Sequence, residues 1–323
     1  MKLVLTGANG FVGSHAAHIL SARGHAVHAV VRSTSDVSWL DGADITLHRT
    51  GLDDVDALVP LLDGADGVLH VAGTVQARDL EGYRRGNVGL TRNVLEAAVQ
   101  SGGAPAVVCV SSIAASGPAP AGGIKTEGDA RRPVSLYGRS KVEAEDLAAG
   151  FRDRLPVSIL RPAIVYGERD TEFFAFIQAI DRGIFPRVGR SEKWVDVVYV
   201  GDLVRAMEQA VERRSSGTYF ITSGEEHHWA HIARTTGDVL GSRYRTLTIP
   251  HGVLTAAGHL SGFVNRFKKR PSVFDADKAR EGIQERWVHS IERARRELGY
   301  APDVGLRDGL ERSVAWYRAN GWL

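Results

Sequence analysis

The chain has a single cysteine, Cys109. No disulfide framework can be drawn within it, and the lone thiol fits a reducing compartment, where cysteines stay unpaired. An excess of one charge is also missing. Forty basic side chains meet 38 acidic ones for a net charge of +2, a balance that argues against a nucleic-acid partner. No apolar run approaches the roughly 18 residues of a membrane span. The opening stretch, MKLVLTGANG, reaches a glycine at position 7, which leaves too little apolar length for a secretory signal. The expectation is a cytoplasmic protein with no membrane partner. The sequence holds no internal repeat and no low-complexity linker.

What is present is a chain of 323 residues, 43% hydrophobic and 24% charged. That is enough for one large α/β domain or two smaller ones, since single cores stop growing near about 250–300 residues. Glycine is over-used at 36 positions, against a usual share of about 7%, and much of the excess lies between apolar strands. Nearly continuous apolar runs at 3–6, 26–31, 67–71, 106–110 and 157–160 alternate with helical patterns at 14–22, 54–62, 91–100 and 136–149. That alternation predicts a parallel sheet covered by helices on both faces. Beyond residue 167 the order weakens. A helix is expected at 172–180, a strand at 194–200, a helix at 201–213 and a strand at 218–222, then helices at about 229–240, 252–267, 275–281, 290–298 and 306–319.

The first strand–helix junction reads LVLT-GANGFVG-SHAAHIL, with Gly7, Gly10 and Gly13 spaced three apart. Gly7 suits a tight turn, Gly10 a close backbone approach to a pyrophosphate, and Gly13 the packing of helix on strand. The helix start then presents free N–H groups and a positive dipole end to the phosphates. At the end of the second strand an acid would hold the ribose hydroxyls of NAD. This chain has Val31 followed by Arg32, Ser33 and Thr34. A planar, permanently charged guanidinium suits a phosphate, so NADP(H) is the expected cofactor, with NAD(H) as the alternate.

Tyr137-Gly-Arg-Ser-Lys141 opens the helix at 136–149. Tyr137 and Lys141 lie one turn apart on a shared face. A lysine ammonium beside a phenol favours the phenolate and lowers its pKa. Ser112 follows the apolar strand AVVCV and can donate to a reacting oxygen. The three together suit hydride transfer at a carbinol carbon, with Tyr137 passing the proton.

With these pieces in order the chain resembles an extended short-chain dehydrogenase/reductase of the NAD-dependent epimerase/dehydratase superfamily. The motifs that carry the likeness are TGANGFVG at 6–13, HVAG at 70–73, NVGLTRNVLEAA at 87–98, VSSIAASG at 110–117, YGRSK at 137–141, LRPAIVYG at 160–167, VVYVGDL at 197–203 and GTYFITSGE at 217–225. The resemblance implies a Rossmann-type doubly wound parallel sheet with a smaller, partly helical substrate region. It implies a dinucleotide part at 1–167, rejoined by about 194–223, and a substrate part at 168–193 and 224–323. It assigns catalysis to Ser112, Tyr137 and Lys141. The cofactor set it implies is Gly7, Gly10, Phe11, Val12, Gly13, Arg32, Ser33, Leu52, Ala72, Gly73, Asn87, Tyr137, Lys141, Pro162 and Ile164, with Asn87 holding the helix bend near the active site. Homodimers through two long helices are usual in the family.

Departures from the family pattern point to a branch. Nucleotide-sugar members place an asparagine where Ile164 stands and an arginine near Val195, and the Thr-Asp/Glu pair of dehydratases gives way to Ile113 and Ala114. The pattern leans toward dihydroflavonol reductases and hydroxysteroid dehydrogenases, and toward an uncharged, largely apolar carbonyl or alcohol substrate. A nucleotide-sugar epimerase or dehydratase is the alternative on the same fold, and a dinucleotide-binding regulatory protein without turnover the alternative of another class. His227, His228 and His231 have a spacing found in metal sites, but no further ligand lies nearby in sequence, and no metal is expected. The basic run at 266–270 reads as a solvated loop, Phe263, Phe267 and Phe274 as core or pocket wall, and Trp316, Tyr317 and Trp322 as anchors of the last helix.

Overall fold

The computed structural model describes residues 1–265 and 276–323. The basic run at 266–270, Phe267 and Phe274 lie outside the described residues, as does the side chain of Phe263.

The first half contains the expected alternation, with β3, α3 and α5 as elements the sequence reading did not anticipate: β1 (Lys2–Thr6), α1 (Phe11–Ala22), β2 (Ala26–Val30), β3 (Ile45–His48), α2 (Val55–Leu62), β4 (Gly67–His70), α3 (Leu80–Arg84), α4 (Leu90–Gln100), β5 (Ala106–Val110), α5 (Ile113–Ser116), α6 (Leu136–Ala149) and β6 (Val157–Pro162). There follow β7 (Ile164–Tyr166), α7 (Glu172–Asp181), β8 (Ile184–Val188), β9 (Trp194–Val195), β10 (Val197–Tyr199), α8 (Val200–Glu212), β11 (Thr218–Ile221), β12 (His227–His228), α9 (Trp229–Leu240), β13 (Arg245–Ile249), α10 (His251–Asn265), α11 (Ala276–Gly282), β14 (Arg286–Trp287), α12 (Glu292–Leu298) and α13 (Leu306–Ala319).

Seven strands form one sheet in the order β11-β6-β5-β4-β1-β2-β3, and every neighbouring pair is parallel. The period of two along β1 shows how both faces are buried. Leu3 and Leu5 pack with Ala16, Ala17 and Leu20 of α1 and with Leu203 and Met207 of α8. Val4 points the other way, to Leu58, Leu62, Val94 and Leu95 of α2 and α4. Helix α1 buries Gly13, Ala16, Ala17 and Leu20, the spacing of one helical face. Cys109 of β5 is a buried free thiol, pushed up to about 12 by burial.

The later chain builds a third core of Tyr166, Phe173, Ile177, Val195, Tyr199, Ile232, Leu310 and Tyr317. One expectation changes here. Residues 194–200 were expected as a single strand returning to the main sheet, but they divide into β9 and β10, which join two small separate sheets. The break is at Asp196, whose carboxylate accepts the backbone N–H of His289 at 2.6 Å. Only β11 rejoins the large sheet. β8 and β13 form a two-stranded parallel ribbon.

Candidate active site

The strand order reverses between β1 and β4, so their C-terminal ends open the crevice where doubly wound sheets bind ligands. Gly7 leaves β1 at φ +69°, and a Cβ there would lie 2.7 Å from the Ala72 nitrogen beyond β4. A Cβ on Gly13 would lie 2.1 Å from the Gly7 oxygen. Both positions therefore exclude any side chain. Helix α1 starts from Gly10 with no side-chain cap and no acid in its first turn. Phe11, Val12 and Gly13 are its first residues, so their N–H groups face the turn. This cradle fits the phosphates of a dinucleotide: its backbone comes close, its dipole end is positive, and no carboxylate opposes an anion.

Beneath the cradle runs a buried polar chain. The Thr6 hydroxyl is 2.9 Å from His70 Nδ1, and His70 Nε2 is 3.0 Å from the Thr91 hydroxyl. Thr91 in turn donates to the Asn87 carbonyl at 2.6 Å. Burial pulls His70 down to about 3, so it stays neutral. Asn87 sits in a π-helical turn at Arg85–Gly89 between α3 and α4. Its Oδ1 accepts from the Thr74 N–H at 2.8 Å, and its Nδ2 donates to the Thr74 carbonyl at 3.0 Å and the Ser140 hydroxyl at 2.9 Å. The extra residue of a π turn aims this amide at the loop after β4.

β5 delivers Ser111 and Ser112 to the same mouth. Ser112 caps the short helix α5, its Oγ accepting from the Ala114 N–H at 3.1 Å, and it lies near enough to the Tyr137 hydroxyl to ease its ionisation. The approach of α6 depends on Gly138, where a Cβ would stand 2.4 Å from the Ala114 oxygen. Ser135 caps α6 through the Gly138 N–H at 2.9 Å. Lys141 Nζ donates to the Val110 carbonyl at 3.1 Å and lies 5.9 Å from the centre of the Tyr137 ring. Burial pulls its ammonium down to about 8, against the opposing pull of Glu145. Burial pushes the Tyr137 phenol above its usual value, Glu281 adds to the rise, and Ser112 opposes it. The lysine was expected to lower this phenol; here its ammonium donates to the Val110 carbonyl.

The remaining expected positions fall around the same crevice. Gly73 is within reach of both Asn87 and Lys141, where a Cβ would meet Oδ1 at 2.9 Å and Nζ at 3.3 Å. Ala72 lies against Gly7. Arg32 and Ser33 are exposed just past β2. Leu52 is buried, and its carbonyl accepts from Asn93 at 2.9 Å. Pro162 ends β6, and Ile164, half-buried, begins β7. Val195 is only 1% exposed within the third core, so its side chain does not face the crevice.

Three groups at the site were not singled out from the sequence. Glu145 and Arg161 form a buried two-point ion pair, at 2.9 and 2.7 Å, and Glu145 also accepts from the Ser111 hydroxyl at 2.6 Å. The signal was available, because Glu145 is one further turn along α6 from Lys141. Asp277 and Glu281 reach the N-terminus of α6 from α11. Asp277 accepts the Leu136 N–H at 2.7 Å, and Glu281 accepts the Ser135 hydroxyl at 2.6 Å. No spacing could have found this pair, since about 140 residues separate the partners. Tyr83 of α3 stacks obliquely near Tyr137, with ring centres 6.0 Å apart. The histidines behave structurally: His228 caps α9 through the His231 N–H at 3.3 Å.

The description of the NAD dependent epimerase/dehydratase family matches residues 3–221. The ceramide reductase of Caulobacter vibrioides is 30% identical, over 99% of this chain and 96% of that protein. The 3 beta-hydroxysteroid dehydrogenase/Delta 5-->4-isomerase of Mycobacterium tuberculosis is 28% identical, over 98% of this chain and 90% of its own length. Among solved structures, MoeE5 in complex with UDP-glucose and NAD superposes with a TM-score of 0.78 at 28% identity, covering 99% of both chains.

Proposed function

The chain belongs to the NAD dependent epimerase/dehydratase family and is an NAD(P)-dependent oxidoreductase, and from that premise we propose that it interconverts a ketone and a secondary alcohol. The observation that carries the reading is the convergence of Ser112, Tyr137 and Lys141 beside the glycine cradle. The bound nicotinamide would supply or accept the hydride. In reduction the Tyr137 hydroxyl gives its proton to the carbonyl oxygen as that oxygen becomes an alcohol. Ser112, beside that phenol, would donate to the same oxygen and hold it in place. Lys141, on the same helix face one turn from Tyr137, would hold the cofactor ribose.

The same proposal covers the finer assignments. Gly7, Gly10, Phe11, Val12 and Gly13 would hold the pyrophosphate, and Ala72, Gly73, Asn87, Pro162 and Ile164 the nicotinamide half. Arg32 and Ser33, exposed at the end of β2 where no acid stands, support a preference for NADP(H). Residues 1–167 would form the cofactor part, with the substrate taken by 168–193 and 224–323. For the substrate we favour an uncharged, lipid-like carbonyl compound. Ile164 offers no hydrogen bond to a phosphate, and two relatives at 28–30% identity are named for a ceramide and a steroid. Val195, being core, adds nothing to this argument.

One observation supports a second reading. MoeE5, with UDP-glucose and NAD, matches the chain end to end, which keeps a nucleotide-sugar epimerase in view. A turnover panel separates the two. NADPH consumption with steroid-like, acyl and aromatic ketones, and none with UDP-, GDP- or dTDP-sugars, is the expected result. Saturable binding of a nucleotide sugar with no ketone turnover would overturn it.

A further inference from the structure

The β8–β13 ribbon has an inward side and an outward side. Phe185 is buried, whereas its neighbour Ile184 is 44% exposed and Leu247 is 56% exposed. The parallel register pairs Ile184 with Arg245, Pro186 with Leu247 and Val188 with Ile249, and paired residues of neighbouring strands project to one side. Ile184, Pro186, Val188, Leu247 and Ile249 thus share the outward face, with Arg245 on it at the end where β13 begins. The chain then enters α10, where Gly252, Val253, Ala256 and Ala257 are exposed, Val253 at 57%. From Thr246 to Asn265 the sequence carries no Asp, Glu, Lys or Arg. A helix lying against water ordinarily turns a charged stripe outward, and α10 has no such residue to offer.

Cations rim this face. Arg182, Arg190, Arg243 and Arg245 are all exposed. The acids alongside are Asp181, which accepts from the Ser242 hydroxyl at 3.1 Å, and Glu192.

We propose that the outward face of the β8–β13 ribbon and the start of α10 adsorb to an anionic lipid bilayer, apolar side chains entering the acyl boundary and the arginines meeting headgroup phosphates. An uncharged apolar surface with a basic rim is the composition that binds at such an interface. A second copy of the chain is the poorer occupant, because a two-fold contact would set the four arginines against their own copies. The contact is peripheral. No helix among the described residues is long and apolar enough to cross a membrane, and the expectation of no membrane partner was drawn from the absence of a span. The inference needs no particular ketone, so its failure would leave the proposed reaction standing.

The test is co-sedimentation of the full chain with vesicles of phosphatidylcholine alone and of phosphatidylcholine mixed with phosphatidylglycerol. Binding to the mixed vesicles, weakened by salt and small on the neutral ones, is expected. Leu247→Asp combined with Val253→Asp should lower partitioning about tenfold or more while leaving the melting temperature unchanged. Arg243→Glu with Arg245→Glu should remove the preference for the anionic lipid. The proposal is overturned if the native chain stays in the supernatant with both vesicle types, or if both double variants bind as well as the native chain. It is also overturned if velocity sedimentation shows a dimer that Leu247→Asp splits and no vesicle binding accompanies it.

Discussion

Tyr137 is the residue on which the proposed chemistry turns, because it is the proton donor of the proposed set. Tyr137→Phe should abolish ketone turnover while NADPH affinity, measured by fluorescence, stays within about twofold, since only one neutral hydrogen bond near the ligand is lost. Retained turnover would mean a different acid. Arg32→Asp should weaken NADPH by about 1.5–3 kcal/mol, the usual worth of a charge-assisted contact, and leave NADH little changed. Equal native affinities for the two cofactors would remove the basis for that assignment. Lys141 offers a pH experiment on stability. Its ammonium is held at about 8 against 10.5 in the unfolded chain. Between those values the unfolded state carries the proton and the folded state does not, so stability rises with pH across that window. Relative to Lys141→Met, the native chain should therefore gain about 2 kcal/mol in urea unfolding from pH 8 to pH 9.5, and a flat difference would refute the buried ammonium. At this scale much was legible. The glycine spacing and the Tyr-Lys turn stand in sequence as they stand in space, because each is local. Val195 was misleading for the opposite reason, since nothing local tells a core-facing valine from a crevice-facing one.

Helices α9 and α13 and strand β5 have the bounds that apolar periodicity gives them, 229–240, 306–319 and 106–110, because each buries one clear stripe or a whole strand. The ribbon β8–β13 and the split at Asp196 were not readable. A proline inside IFPRV weakens the strand pattern, and the break at Asp196 is fixed by His289, 93 residues later. Contacts of that range decide local structure without leaving a local signal. The same holds for α11, whose two carboxylates one turn apart grip the start of α6. Glu281→Gln removes a negative charge that helps to raise the Tyr137 phenol. The alkaline limb of the turnover profile should accordingly move to lower pH in this variant, with the melting temperature lowered only slightly. An unmoved limb would reduce Glu281 to a packing role.

Taken whole, the molecule is one large sheet with a third core laid across its later strands, and the last helix closes the arrangement. The Tyr317 hydroxyl donates to the carbonyls of Gly167 at 2.8 Å and Asp170 at 2.9 Å, tying residue 317 to the loop that leaves the crevice. Because a ligand that binds only the folded chain stabilises all of it, NADPH at about 100 times its dissociation constant should add about 2.7 kcal/mol. The expected thermal shift exceeds that with NADH at the same concentration, and the reverse order would count against the NADP assignment. The parallel sheet was legible because its strands read as unbroken apolar runs, whereas the strands of the small later sheets are either two or three residues long or, in β8 and β13, mixed with arginine, threonine and proline.

Cys109 lies next to the end of β5, the strand that leads to Ser111 and Ser112, buried and with its thiol held almost wholly protonated. It is therefore a built-in clock. An alkylating reagent can reach the sulfur only when β5 opens, so the rate of its modification reads the opening equilibrium of that strand in the unaltered protein, without a label or a mutation.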